Sequence, residues 1–281
     1  MAGPVILHHL HAVYWFVAIL WLTTIVQGLF LLRSAVRLLI HVGRAVRQSP
    51  RDVSGRWSYE PRAVVFLPCC GVDEKLRQTV ESLGEQDYAD YEIIYTFESA
   101  EDPAYAAVGQ WIARWERPRT QRVIAGLATN RGQKIHNLLA AIQCAPADRE
   151  VFVFLDSDAI PHADWLGNLI APLSRAEVGA ATGFRWYSAA GGWVNGMRSC
   201  WNAASLTLIT DPRLSFVWGG STAVRRETFE RLAIAQSWER ALSDDYQVTR
   251  AMHEGGLKIQ FVPQALIPSH EIGRASCRER V

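Results

Sequence analysis

Hydrophobic and polar positions fall into three regimes along this chain. The first is an unbroken apolar run: Val13 to Leu32 reads VYWFVAILWLTTIVQGLFLL and carries no charge. About 20 residues at roughly 1.5 Å each reach across some 30 Å of hydrocarbon, so the run predicts a membrane-spanning helix. Thr23, Thr24 and Gln27 are polar but can be satisfied within or between helices. Tyr14, Trp15 and Trp21 suit a lipid interface. A cleaved leader is disfavoured. The run is too long, the residues before it include His8, His9 and His11 but no Lys or Arg, and no small-residue cleavage site follows.

The second regime is basic and amphipathic. Arg33, Arg37, His41 and Arg44 recur at spacings of four and three, with Val36, Leu38, Leu39, Ile40 and Val42 between them. That pattern predicts a helix lying on the inner leaflet, or else a plain continuation of the spanning helix. With Arg47 and Arg51 added, the positive-inside rule puts this end in the cytoplasm and the amino terminus outside. Ser49 to Pro61 reads as a polar linker.

In the third regime, short apolar runs alternate with stretches of helical spacing. Ala63–Leu67, Tyr91–Phe97, Gln121–Ala125 and Glu150–Leu155 read as strands, the third the weakest and the last the strongest. Between them, Asp73–Leu83, Pro103–Trp115 and Ile135–Ile142 read as helices, with Asp73 placed to cap the first. Alternation of this kind predicts an α/β domain with a mainly parallel sheet and right-handed crossovers. Ligands of such sheets sit beyond the carboxyl ends of the strands. The polar sets at 98–102, 129–134 and 156–158 are therefore expected to converge on one edge.

Composition trims this picture. The 281 residues suffice for one such domain plus an anchor, and 29 basic against 28 acidic residues give no reason to expect a nucleic-acid partner. Five cysteines without metal-knuckle spacing, two of them the vicinal Cys69 and Cys70, read as reduced thiols of a cytosolic domain. The last ten residues, 272–281, resemble a translated sequencing-adapter read-through and are set aside. Without Arg274, Arg278, Arg280 and Glu279 the balance tips to the acidic side, so the sign of the net charge decides nothing. We expect the natural chain to continue past Glu271. The expected organisation is an anchor at 1–32, a basic juxtamembrane segment and linker at 33–60, and a domain at 61–271.

Asp156-Ser157-Asp158 follows the strongest strand without interruption. Two carboxylates there can hold a hard cation, Mg²⁺ or Mn²⁺, that shares its oxygen ligands with phosphates and neutralises a diphosphate leaving group. Their alternative is a pair of surface acids near the helix start at Asp164. Asp244 and Asp245 are adjacent, so mutual repulsion can raise one pKa toward the range of a general base. They also precede the helical stretch Tyr246–His253, where either can act as an N-cap. In Trp218-Gly219-Gly220-Ser221, paired glycines allow close backbone approach to a ligand or a tight turn before a strand at Thr222–Val224. Gly183–Tyr187 follows another strand. Trp193, Met197, Trp201, Leu206 and Leu208 form an apolar region that reads as core, membrane-facing lip or lipid entrance.

These motifs carry a resemblance. Leu67-Pro68, Gly71, Asp73, Leu76, Ser82-Leu83, Asp87-Tyr88 and Tyr91-Glu92-Ile93 resemble the opening of family-two-type inverting glycosyltransferases of the GT-A fold. The run from Glu98 to Pro103, Lys134-Ile135 with Asn137, and the run from Ser243 to Tyr246 look most like the ceramide glucosyltransferase branch and its bacterial relatives. The resemblance spans Pro61 to Glu271. It implies a UDP-sugar donor, expected to be UDP-glucose, a lipid acceptor such as ceramide, and a role in glycolipid synthesis at a bacterial inner membrane. It implies that Glu98, or its competitor Asp102, faces the uracil or ribose. Lys134 approaches the nucleotide or phosphates, unless it is a solvated helix-start lysine. Asp156 and Asp158 hold the metal and diphosphate. Asp245 is the base and Asp244 its support, or the reverse. Trp218 is a candidate platform for sugar or lipid. The family's Q/R-x-x-R-W motif does not occur before Glu271. A polysaccharide synthase and a non-catalytic nucleotide-sugar-binding membrane protein are the competing readings.

Overall fold

The computed structural model describes residues 3–187 and 192–269. The tail set aside above lies outside the described residues. Helix α1 runs unbroken from Gly3 to Arg47, 45 residues or about 67 Å. The basic stretch from Arg33 is thus the last part of one long helix. Thr23 and Thr24 each donate a hydroxyl to the Leu20 carbonyl at 2.8 Å, which satisfies both inside the helix. Large apolar side chains from Val13 to Leu32 are exposed, and the helix is long and apolar enough to cross a membrane.

The remaining elements follow as β1 (Ala63–Pro68), α2 (Glu74–Gly84), β2 (Tyr91–Phe97), α3 (Pro103–Ile112), β3 (Arg119–Ile124), α4 (Gln133–Cys144), β4 (Val151–Leu155) and α5 (Trp165–Ile170). After these come β5 (Val178–Tyr187), α6 (Trp193–Leu208), β6 (Ser221–Arg225), α7 (Arg226–Arg231), α8 (Ile234–Trp238), α9 (Asp244–Glu254) and β7 (Lys258–Ser269). The sheet order is β3-β2-β1-β4-β6-β5-β7, with β6 antiparallel to both neighbours and the other pairs parallel. Helices cover both faces. Val65, Leu67, Ile93 and Val153 pack in one core cluster, while Val64, Phe66, Ile94, Phe152 and Phe154 pack in the other. Burial on both faces is why these strands read as continuous apolar runs.

The end of α1 is fastened to the domain. Leu38 and Val42 pack against Phe184, Leu206, Ile209 and Phe261. Arg37 pairs with Asp211, a His41 ring nitrogen bonds the Phe261 carbonyl at 2.8 Å, and Gln264 donates to the Ala45 carbonyl at 2.6 Å. The expected polar linker is also folded. Trp57 is buried, donates its indole N–H to the Asp87 carbonyl at 2.6 Å, and packs so closely on Gly167 that a Cβ there would sit 2.1 Å from its ring. Arg51 covers that ring at 3.9 Å and reaches Asp87 and Asp164 at 2.6 and 2.7 Å.

Candidate functional site

Because β1, β2, β3 and β4 are parallel, their carboxyl ends lie along one edge of the sheet, and the antiparallel β6 begins there, with Ser221 opposite Leu155. The polar residues that follow these strands are thereby gathered. Lys134, second residue of α4, places its Nζ 2.9 Å from Asp156 Oδ1 and 3.1 Å from Asp244 Oδ2, and 3.3 Å from the Gly219 carbonyl. A lysine in the first turn of a helix works against the helix dipole, so these acids are what hold it there. Burial opposes its charge, but Asp156 and Asp244 outweigh that and hold its pKa above the ordinary lysine range. Lys134 is thus ion-paired at the start of α4, with its side chain 36% exposed.

Arg185, near the end of β5, completes the cluster. Its guanidinium donates to both oxygens of Asp158, at 2.7 and 2.9 Å, and lies 3.7 Å from Asp156 Oδ2 and 5.2 Å from the centre of the Trp218 ring. Burial acts against this charge too, and Asp158 and Asp156 together raise its pKa regardless. Asp156 and Asp158 are therefore inward-facing partners of two cations rather than solvated surface acids at Asp164. Among the described residues, no three His, Cys, Asp or Glu side chains converge as a ready-made metal cage.

The glycine pair is demanded by this packing. A Cβ on Gly219 would lie 2.6 Å from Asp244 Oδ2 and 3.1 Å from Lys134 Nζ; one on Gly220 would lie 2.2 Å from the Trp218 ring and 2.6 Å from Asp156 Oδ2. The tight turn is present as well: Ser221 N–H bonds the Trp218 carbonyl at 3.0 Å. The Trp218 ring sits between Arg185 and Phe184, half-buried.

The adjacent acids Asp244 and Asp245 diverge. Helix α9 starts earlier than its periodicity indicates, so Ser243 is the N-cap residue and both acids lie in the first turn. Asp244 is buried. Burial raises its pKa, Asp245 and Asp156 push the same way, and Lys134 pulls it back without cancelling the rise. Asp245 is half-buried; one of its oxygens accepts from the Ser243 hydroxyl and from Tyr246 N–H at 2.8 Å, and no bond to the other is seen among the described residues.

The two candidates for the first acidic position also separate. The Asp102 carboxylate caps α3, accepting from Ala104 N–H at 2.8 Å, and accepts from Gly71 N–H at 3.0 Å. Glu98 sits at the carboxyl end of β2, half-buried, its carbonyl bonded to Gly126 N–H at 3.1 Å. It lies on the site edge without touching the Lys134–Arg185 cluster through any side-chain bond seen here. Arg185 is the site residue that sequence reasoning missed, having noted only the segment around it. Asp102 followed by Pro103 was a readable helix start, an N-cap with proline at the first helical position.

Residues 17–278 match the family model for glycosyl transferase family 21. The chain belongs to that family. It is a glycosyltransferase. A mannosyltransferase from Pyrobaculum calidifontis, solved with GDP-Man and Mn2+, is 21% identical with a TM-score of 0.57, over 86% of this chain and 67% of that one. Glucosyl-3-phosphoglycerate synthase from Mycobacterium tuberculosis, solved with phosphoglyceric acid, is 18% identical with a TM-score of 0.49, over 76% and 73%. The first likeness bears on the fold: the family 21 chain has the GT-A architecture, seven strands with mostly parallel pairing, that its motif order implied.

Proposed function

We propose that this family 21 enzyme transfers a sugar, with inversion, from a nucleotide-sugar donor to a lipid acceptor at the membrane into which α1 inserts. UDP-glucose and a ceramide-like lipid are the expected pair. The observation that carries this reading is the cluster of Asp156, Asp158 and Asp244 around Lys134 and Arg185 at the carboxyl edge of the sheet. Three carboxylates there face two cations, which leaves an excess of negative charge lined by oxygen ligands.

That donor set fits Mg²⁺ or Mn²⁺, which take few protein carboxylates and complete their shell from substrate phosphates. Asp156 and Asp158 would hold the ion, which supplies positive charge to the leaving diphosphate. Lys134 and Arg185 are the chain's own cations for the same phosphates. Glu98 is assigned to the nucleoside, since the Asp102 carboxylate is occupied by two backbone amides.

Asp245 is assigned as the base. Asp244 is buried and its Oδ2 is paired with Lys134 at 3.1 Å, whereas Asp245 is half-buried and keeps an oxygen for an acceptor hydroxyl. Asp245 takes the acceptor's proton as that oxygen attacks the anomeric carbon, the bond to the diphosphate breaks, and the new bond forms on the opposite face. Trp218 lies beside Arg185 as a surface for sugar or lipid.

The domain assignment follows: an anchor at 1–32, its juxtamembrane continuation at 33–60, and a transferase domain at 61–271 on the cytoplasmic side. Exposed Trp193, Met197 and Trp201 on α6 support placing that side of the domain against lipid. The test is donor-dependent transfer by full-length protein in membranes, with a panel of UDP- and GDP-sugars and mass analysis of extracted lipids. A glycolipid product supports the proposal; a polymer or no product overturns it.

A further inference from the structure

The basic residues of α1 that follow the apolar run are divided in their partners. Arg37 is paired with Asp211 and His41 with the Phe261 carbonyl. Arg33 and Arg44 form no ion pair with the described residues. All four line one cavity of about 440 Å³, together with Thr210 just beyond α6. The Thr210 hydroxyl oxygen is buried and has no hydrogen-bond partner among the described residues. Val36 and Ile40 add apolar lining, and their side chains are exposed.

The chemistry of this cavity is specific. Three guanidiniums with one carboxylate partner leave surplus positive charge, arginine forks match phosphate oxygens, and a lone hydroxyl can donate to a further one. The exposed valine and isoleucine suit the hydrocarbon start of a lipid rather than a free ion. Position agrees. Arg33 directly follows Leu32, the end of the uncharged run. Arg33 and Arg37 are one turn apart, about 6 Å along the axis, comparable to one headgroup layer.

We propose that this cavity binds the phosphate headgroup of an anionic membrane phospholipid, which fixes the docked end of α1, and with it the transferase domain, against the leaflet. The inference rests on the reading of α1 as a membrane anchor. It concerns a site apart from the Asp156–Arg185 cluster.

The test uses full-length protein in phosphatidylcholine vesicles containing phosphatidylglycerol, with bound lipid read by native mass spectrometry after extraction. Wild type is expected to retain phosphatidylglycerol over phosphatidylcholine. Each arginine near an anionic surface contributes about fivefold, so Arg33→Gln with Arg44→Gln should weaken retention about 30-fold. Thr210→Val changes no charge and should still weaken it about tenfold, the lower end for a hydrogen bond to a charged group. Loss in the arginine variant with none in Thr210→Val would mean diffuse surface attraction and overturn the site. So would displacement by millimolar inorganic phosphate, which would identify a soluble anion as the occupant. Alkaline carbonate washing separates the two readings: release of wild type from membranes overturns the anchor and this proposal together, whereas retention without anionic preference overturns the proposal alone.

Discussion

Arg185→Gln probes the cluster most directly. The substitution removes a guanidinium whose two parallel bonds hold Asp158, and leaves that carboxylate 18% exposed without its fork partner. Truncating one member of a fully buried pair costs about 3–5 kcal/mol, while exposed pairs are worth about 0–1 kcal/mol. With Arg185 itself only 12% exposed, the pair belongs nearer the buried limit, at about 2–3 kcal/mol. For a domain of this size each kcal/mol moves the Tm by about 2–4 °C, so a fall of roughly 5–10 °C is expected. The assay is thermal unfolding of detergent-solubilised protein followed by near-ultraviolet circular dichroism. Arg185→Lys should fall between the two, because it keeps the charge but loses the fork. A second arm adds Mn²⁺ without donor. Freed Asp158 should bind it more tightly than in wild type, and binding to the folded state alone should restore part of the lost Tm. A variant that melts within 1 °C of wild type, with no larger response to Mn²⁺, would refute the reasoning from ion pair to stability (the margin is about 0.3–0.5 kcal/mol).

Further outcomes follow from the same cluster. Lys134→Met should weaken donor binding about 10- to 100-fold, as loss of a charge-assisted bond predicts, in an equilibrium assay with labelled UDP-sugar. Asp245→Asn should lower kcat by about 10²- to 10⁴-fold and leave donor Kd within about twofold, read by comparing transfer with donor binding. Asp244 has a pKa raised in the folded state, mainly by burial. Its ionised form is thus disfavoured by folding, and stability falls as pH rises from the ordinary carboxylate value through the raised one. Asp244→Asn removes that dependence, so its Tm relative to wild type should climb across this window in melts between acid and neutral pH. A constant difference would contradict the burial of this charge.

Local pattern carried the first half of the domain because each strand from β1 to β4 is followed by a helix over short range. Predicted and observed ends of β2 coincide at Tyr91 and Phe97, and those of β1 and β4 differ by one residue. The carboxyl half was harder for physical reasons. Strand β7 contains Pro263 and Pro268, and its pairing with β5 shifts register twice, so alternation is broken where a strand exists. Trp57 is a single buried side chain in a polar stretch, with no period to announce it. Basic periodicity past Leu32 was visible, but the choice between lying on a leaflet and docking on the domain depends on Asp211 and Phe261, more than 160 residues away.

The acidic triplet shows the same division more sharply. A strand running straight into Asp156 indicates that both carboxylates lie at the sheet edge. It says nothing of what neutralises them, because that depends on strand order. Arg185 reaches Asp158 only because β5 lies one strand beyond β6, and β6 is inserted antiparallel beside β4. Lys134 reaches both Asp156 and Asp244 because α4 and α9 begin at that same edge. These partners change the chemistry of the motif. An aspartate pair open to water would depend on a cation for all of its charge balance, and its geometry would loosen without one. Here Asp158 is held by two bonds from a largely buried guanidinium and Asp156 by a lysine, so the carboxylates stay oriented before any donor arrives. Preorganised charge of this kind costs no rearrangement at the moment of transfer. Lys134 is then the residue whose loss should be felt on both sides of the proposed reaction, since it links Asp156, assigned above to the donor, to Asp244, the immediate neighbour of the proposed base.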